Sequence, residues 1–307
     1  MAEVLDSLNA ISEPLGGART APRRNSRFED FRVRLGRYLR EPEITIPGAV
    51  LLAIVLLCFL GPLVLPLPNP LTGDFLHTLA PPFSRGHLLG TDYTGIDELS
   101  RLIYGGRVSL EVGSCAVAIG MIVGTAVGTI AAYKGHWVDA TVMRFLDVLL
   151  AFPALILALA IADILGASIR NVIIAISFFT IPAYARLSRA ETLRMRNREY
   201  VVASRSMGSG TGRILLGHIV PNVIPVIMTV AFLQVGTAML TEAGLSYLGL
   251  GVPIPTPSWG NMIQTAQGSM ERDPWPVLIP SAVLFLTIVC LNLVGNGVRG
   301  VLTSESS

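Results

Sequence analysis

IPGAVLLAIVLLCFLGPLVLP, the stretch from Ile46 to Pro66, carries no charged side chain. About 20 predominantly apolar residues suffice for a helix to cross the hydrocarbon of a bilayer, so this run predicts a membrane span. Its prolines, Pro47, Pro62 and Pro66, stand near the ends, where they disturb a helix least.

Five more apolar stretches follow, near residues 108–132, 143–165, 171–187, 220–241 and 276–297. Hydrophobic residues make up 51% of the 307 residues and charged ones 14%. A soluble domain carries about 25% charge. Mean hydropathy is +0.60. The expected fold is an all-α membrane protein with six transmembrane helices.

Basic residues set the orientation, because the flanks they crowd stay in the cytoplasm. One set of flanks holds eight arginines from Arg19 to Arg40, Lys134, Arg144, Arg186, Arg189, Arg194, Arg196, Arg198, Arg205, Arg213 and Arg299. The opposite flanks hold Arg85, Arg101, Arg107, Arg170 and Arg272. Both termini are thereby placed in the cytoplasm, and the number of spans is even. Only Lys134 among the 23 basic residues is a lysine, a bias read as genome composition, with no nucleic-acid role.

The division expected is a cytoplasmic tail over 1–45, a first span over 46–66, an outer loop over 67–107 and a core over 108–302. The tail has no signal-peptide core. It is polar to Ser26 and expected to be disordered there. Over 27–41, Phe28, Phe31, Leu35, Tyr38 and Leu39 alternate with Arg27, Arg32, Arg34, Arg37 and Arg40, the pattern of a helix on an anionic lipid surface. In the outer loop DELSRLIYG predicts a short helix. A second outer loop, 244–275, ends at Trp275, a residue type common at membrane edges. Gly120, Gly124 and Gly128 form a doubled small-xxx-small pattern for close helix packing.

Chemistry-bearing residues are few. Acids at membrane depth are Glu111, Asp147, Asp163 and Glu242, each costly in lipid. Asp163 lies near an outer end, and Asp147 has Arg144 as a local partner. Glu111 and Glu242 are therefore the candidates for a translocation path. All four histidines lie outside the spans or at their edges, which leaves little for proton coupling or a membrane hydrolase. Cys58, Cys115 and Cys290 sit in apolar runs and read as small buried hydrophobes. No ligands stand at metal spacing. No phosphate loop exists, since the sole lysine follows Tyr133 rather than glycine. The chain is expected to hold no catalytic site, cofactor or metal, and any ATP that drives it binds another chain.

The most unusual segment is the basic loop 188–219, in which helix formers from Ala190 to Met207 give way to Gly208–Gly212 and a second short helix, Arg213 to His218. Its stretch EYVVASRSMGSGTGRILLGHIVPN resembles the coupling loop of binding-protein-dependent ABC importer permeases. That pattern is Glu-Ala-Ala, three residues, Gly, nine residues, then an apolar position two residues before Leu-Pro. Val202-Ala203-Ser204, Gly208 and Val220-Pro221 stand at the matching positions. HLLGTDYTGIDELSRLIYGGRVSL from His87, LSYLGLGVPIPTPSWGNMI from Leu245 and LNLVGNGVRGVL from Leu291 resemble further motifs of the dipeptide, oligopeptide and nickel branch, in order. Length and the long first outer loop resemble its C-type subunit.

The resemblance implies the type I importer permease fold in a bacterial cytoplasmic membrane. It also implies a second permease, two ATP-binding subunits that hold ATP and magnesium, and an extracytoplasmic binding protein. Implied ATPase-docking residues are Glu199, Val202, Ala203, Ser204, Arg205, Gly208 and Arg213. Val202 and Ser204 depart from the motif's Glu and second Ala, Ile96 replaces the arginine of GRD, and Asn296 and Gly300 replace C-terminal acids. Glu199, one turn before Val202 on the same face, is the expected polar contact. Di- or oligopeptide import is the first reading. Nickel, glutathione or another solute is the alternative within the class, and a proton-coupled secondary transporter the alternative outside it.

Overall fold

A computed structural model of the protein describes residues 42–303, and the tail with its expected helix at 27–41 lies outside them. Ten α-helices are labelled here: α1 Pro42–Val64, α2 Glu98–Lys134, α3 His136–Leu150, α4 Ala154–Leu165, α5 Ile169–Met195, α6 Glu199–Ser206, α7 Thr211–Ile214, α8 Val220–Tyr247, α9 Trp259–Ala266 and α10 Trp275–Thr303. A π-helical turn, Leu215–Ile219, joins α7 to α8. Among the described residues five helices are long and apolar enough to span a membrane, and α3 with α4 makes a further pair, bent by 89°.

Helix directions show how that pair is used. Helices α2 and α5 run parallel, since Gly120 meets Thr180 and Gly128 meets Ala185 and Ser188. The chain leaves α2 at one face of the bundle and enters α5 at the other, so α3 and α4 together return it across once. Helix α8 runs antiparallel to α2, with Met239 against Gly113 and Glu242 against Ser109. Helix α10 runs antiparallel to both α8 and α1, with Gly236 against Ile288 and Ile44 against Gly297. Six crossings result, and the start of α1 and the end of α10 lie on one side, as the arginine distribution requires.

Close approach of α2 to α5 depends on the glycine series. A Cβ on Gly120 would stand 1.7 Å from Thr180 Oγ1, and one on Gly124 2.5 Å from the Ile181 carbonyl oxygen. In lipid, where apolar burial gives helices no reason to associate, such backbone proximity is what holds a pair together.

Helix boundaries differ from expectation at three places. The short helix expected in the first outer loop is the start of α2, capped by Asp97, whose side chain accepts the Ser100 N–H at 2.8 Å. Gly105 and Gly106 do not break it, because they let the helix press on Met262, Trp259 and Cys58. At 1.5 Å per residue α2 is about 55 Å long, so its first turns stand beyond the hydrocarbon. The helix expected from Ala190 to Met207 is interrupted between Met195 and Glu199. The second loop helix begins earlier, at Thr211, and passes through the π turn into α8 without a break.

The outer loops are folded. Asp92 Oδ1 accepts from Thr94 N–H, Thr94 Oγ1 and Ile96 N–H, while its Oδ2 lies 2.6 Å from Arg101 Nη1 in a buried ion pair. His87 Nδ1 is 2.9 Å from Asp97 Oδ2. The GTDYTGID stretch therefore ties the loop to the head of α2. In the second loop Ser258 caps α9, with its side chain and that of Asn261 bonding each other's backbone. Trp275 is half-exposed at the start of α10. Cys58 and Cys290 are buried, whereas Cys115, expected to be buried, is exposed on α2.

Candidate functional site

Helix α6 buries one side: Val201 and Ser204 point in, while Glu199, Val202, Ala203 and Arg205 are exposed. Val201 is enclosed in a cluster with Ile214, Ile219 and Val223, which fixes α6, α7 and the head of α8 to one another. The helix stops in a Schellman turn. Ser209 N–H bonds the Ser204 carbonyl at 3.1 Å and Gly208 N–H the Arg205 carbonyl at 3.0 Å, with Gly208 at φ +80°.

Two arginines fasten this loop to the end of α2. The Arg205 guanidinium lies 5.2 Å from the centre of the Tyr133 ring, and Arg196 Nη1 donates to the Ala132 carbonyl at 2.9 Å. Arg189 forks onto Asp139 of α3 at 2.6 and 2.7 Å. Asp147 pairs with Arg186 of α5, 39 residues on in the chain, and not with its neighbour Arg144.

Six of the seven predicted docking residues are exposed: Glu199, Val202, Ala203, Arg205, Gly208 and Arg213. Ser204 lies beneath them, buried. Sequence reasoning passed over Met207 and Leu216, which are 79% and 73% exposed in the same segment. Their signal was available: large apolar residues on either side of a glycine turn in a polar loop. Tyr200 is also half-exposed there, with its ring 6.1 Å from His218.

The two acids picked for a path are far apart in character. Glu111 is exposed on α2. Glu242 is fully enclosed and accepts from Ser109 Oγ at 3.0 Å and Ser246 Oγ at 2.7 Å. Ser109 Oγ in turn accepts the Trp259 N–H at 3.1 Å, and Trp259 Nε1 donates to the Leu102 carbonyl at 2.9 Å. Glu242 therefore joins α2, α8 and α9, and it meets a path only if that junction opens. Among the described residues no group of three His, Cys, Asp or Glu could hold a metal ion.

Known proteins resemble this arrangement. The family model described as binding-protein-dependent transport system inner membrane component matches residues 124–304. The dipeptide transport system permease protein DppC of Alkalihalophilus pseudofirmus is 36% identical over 267 residues, 87% of each chain. The glutathione transport system permease protein GsiD of Pectobacterium atrosepticum is 37% identical, over 87% of this chain and 88% of its own. The di/tripeptide transport system permease protein DppC of Pseudomonas aeruginosa is 40% identical, over 83% and 86%. Among solved structures, the MetNI methionine ABC transporter in an inward-facing conformation aligns with a TM-score of 0.55 at 18% identity, over 66% of this chain and 96% of that one. At that identity the likeness concerns the fold.

Proposed function

On the premise that this chain belongs to the family of binding-protein-dependent transport system inner membrane components, we propose that it passes peptides inward across the membrane. It is a permease subunit of an ABC importer, a multi-pass protein of the bacterial cytoplasmic membrane that carries no ATPase of its own. The peptide assignment is supported by relatives named for dipeptides and for di- and tripeptides. Glutathione, named for a relative of comparable identity, is itself a peptide.

The observation that carries the reading is the surface of α6 and its turn. Large apolar Met207 and Leu216 stand exposed in the same basic segment as exposed Val202 and Ala203. Exposed apolar patches of this kind mark protein contacts. Small Ala203 and Gly208 permit close docking, and Glu199, Arg205 and Arg213 supply polar contacts at the rim.

An ATPase subunit occupies this surface, and that subunit holds the ATP and magnesium. Two such subunits, a second permease and an external binding protein complete the importer. When the ATPases close, α6 moves as a rigid plug, because Val201 and Ile214 are locked into the core. Arg205 on Tyr133 and Arg196 on Ala132 pass the movement to α2, and the unbroken run from Thr211 to Tyr247 passes it to α8. The path then switches from one side of the membrane to the other. Glu111, exposed on α2, is proposed to face either that path or the second permease.

Purification of the chain from its native membrane in mild detergent tests the proposal. A second permease and ATP-binding subunits should co-purify, with hydrolysis stimulated by a binding protein loaded with peptide. Recovery of the chain alone, without ATPase, would overturn the docking assignment.

A further inference from the structure

Helix α8 carries a polar strip on an otherwise apolar surface. Gln234, Thr237 and Thr241 recur at helical spacing and line a cavity of about 180 Å³, closed on its other side by Ala154, Ile176, Phe179 and Thr180. Gln234 stands midway between Val220 and Tyr247, about 20 Å from either end of the helix and therefore deep in the membrane. Thr237 Oγ1 donates to the Leu233 carbonyl at 3.1 Å and Thr241 Oγ1 to the Thr237 carbonyl at 2.9 Å. Both hydroxyls keep their acceptor lone pairs. The Gln234 amide has no hydrogen-bond partner among the described residues.

A second observation converges on the same cavity. Ala154, the first residue of α4, lines it, and the 89° break between α3 and α4 lies just before. Through the break the backbone is not helical, Phe152 is 54% exposed, and its N–H has no partner among the described residues. Irregular backbone at membrane depth is tolerated against protein or water, and not against lipid. An amide side chain left unpaired in hydrocarbon is costly for the same reason. The unpaired amide lines the cavity and the break adjoins it through Ala154, so water, or something equally polar, suits the space between them.

We propose that this cavity is a water-filled stretch of the translocation path, in which Gln234 offers its amide to the backbone of the passing peptide. The second part rests on the peptide reading above; the first does not. An amide both donates and accepts, as a peptide group does. Gln234, Thr237 and Thr241 bring no charge, so the cavity suits peptides without selecting the charge of their side chains.

The test uses the whole complex in membranes, with Cys58, Cys115 and Cys290 replaced by alanine. Gln234→Cys, Thr237→Cys and Thr241→Cys are labelled with a charged, membrane-impermeant methanethiosulfonate, against Leu52→Cys on α1 and Phe285→Cys on α10, apolar positions on the outside of the bundle, as controls. The reagent needs a hydrated thiolate, so path positions should react about tenfold or more faster than the controls. The threonine positions, where a thiol nearly matches the hydroxyl in size, keep the test alive should Gln234→Cys fail to assemble. Reaction at control rates at all three positions would overturn the path. Gln234→Met should lower peptide uptake about tenfold through loss of one hydrogen-bonding group; unchanged uptake would remove the amide contact. Fast labelling in a complex that moves no peptide would sink the peptide reading and leave the path standing. Peptide uptake with slow labelling would do the reverse.

Discussion

Ser109 Oγ donates a 3.0 Å hydrogen bond to Glu242 Oε2, joining α2 to α8 from positions 133 residues apart in the chain. Ser246 takes the other carboxyl oxygen, and Ser109 also receives the backbone of Trp259. One buried side chain thus holds three elements at a single end of the bundle.

Glu242→Ala should be strongly destabilising. It strands two buried hydroxyls and opens a cavity, at a combined cost of about 3 kcal/mol. Glu242→Gln keeps the volume and one carbonyl acceptor, and the serine hydroxyls can turn to accept its N–H. Its loss should be less than half as large. The thermal midpoint of the purified complex reads both variants, and an alanine variant as stable as the parent would show the junction to be dispensable.

Packing at the glycine series gives a second expectation with an internal control. A Cβ on Gly124 would lie 2.5 Å from the Ile181 carbonyl oxygen and 2.8 Å from Tyr184 Cβ, so Gly124→Val must push α2 and α5 apart. Overpacking of this kind costs about 1–3 kcal/mol. Gly212 has nothing within 4 Å, and Gly212→Ala should change stability by less than about 0.5 kcal/mol. Equal midpoints for the two variants would contradict the close approach.

Much of this was legible in the sequence. Hydropathy found all six crossings, and arginine counts put both ends on one side, because lipid and membrane charge impose those patterns residue by residue. The glycine spacing likewise announced its role. What escaped was contact between distant segments. Nothing local in Ser109 or Trp259 announces that they meet Glu242. Arg186 outcompetes Arg144 for Asp147 only because α5 lies across α3. The break at Ala151–Pro153 was hidden in an uninterrupted apolar run, where a proline alone does not tell a kink from a right-angle turn. The loop stood out through its resemblance to a known one, yet which of its residues face out depended on Val201 filling the core.

Gly208 ends α6 at φ +80°, a conformation that costs other L-residues about 1–2 kcal/mol. Nothing lies within 4 Å of a Cβ there, so Gly208→Ala is a test of backbone strain alone. Gly208→Ala should loosen the turn and weaken coupling, while Gly208→Asn, the residue next best suited to that position, should recover most of it. ATP hydrolysis stimulated by loaded binding protein is the readout. Equal activity of the alanine variant and the parent would mean that the turn is not held in this form in the assembled complex.

Glu199 and Val202 stand one turn apart on the exposed side of α6, and Val202 occupies the position where related loops carry glutamate. If Glu199 makes the polar contact with the ATPase in its place, Glu199→Arg should lower stimulated hydrolysis far more than Val202→Ala. Reversal of one close ion pair at a partly desolvated interface corresponds to about 2 kcal/mol or more, or about thirtyfold. Loss of two methyl groups from a half-exposed valine should cost less than about 1.5 kcal/mol. Glu199 also sits in the first turn of α6, where a negative charge favours the helix by about 0.3–1 kcal/mol. Glu199→Gln removes that term without reversing the contact, so it should fall between the two. The same ranking must flatten at high salt if the contact is ionic. Equal losses for Glu199→Arg and Val202→Ala would end the assignment of Glu199 to the interface.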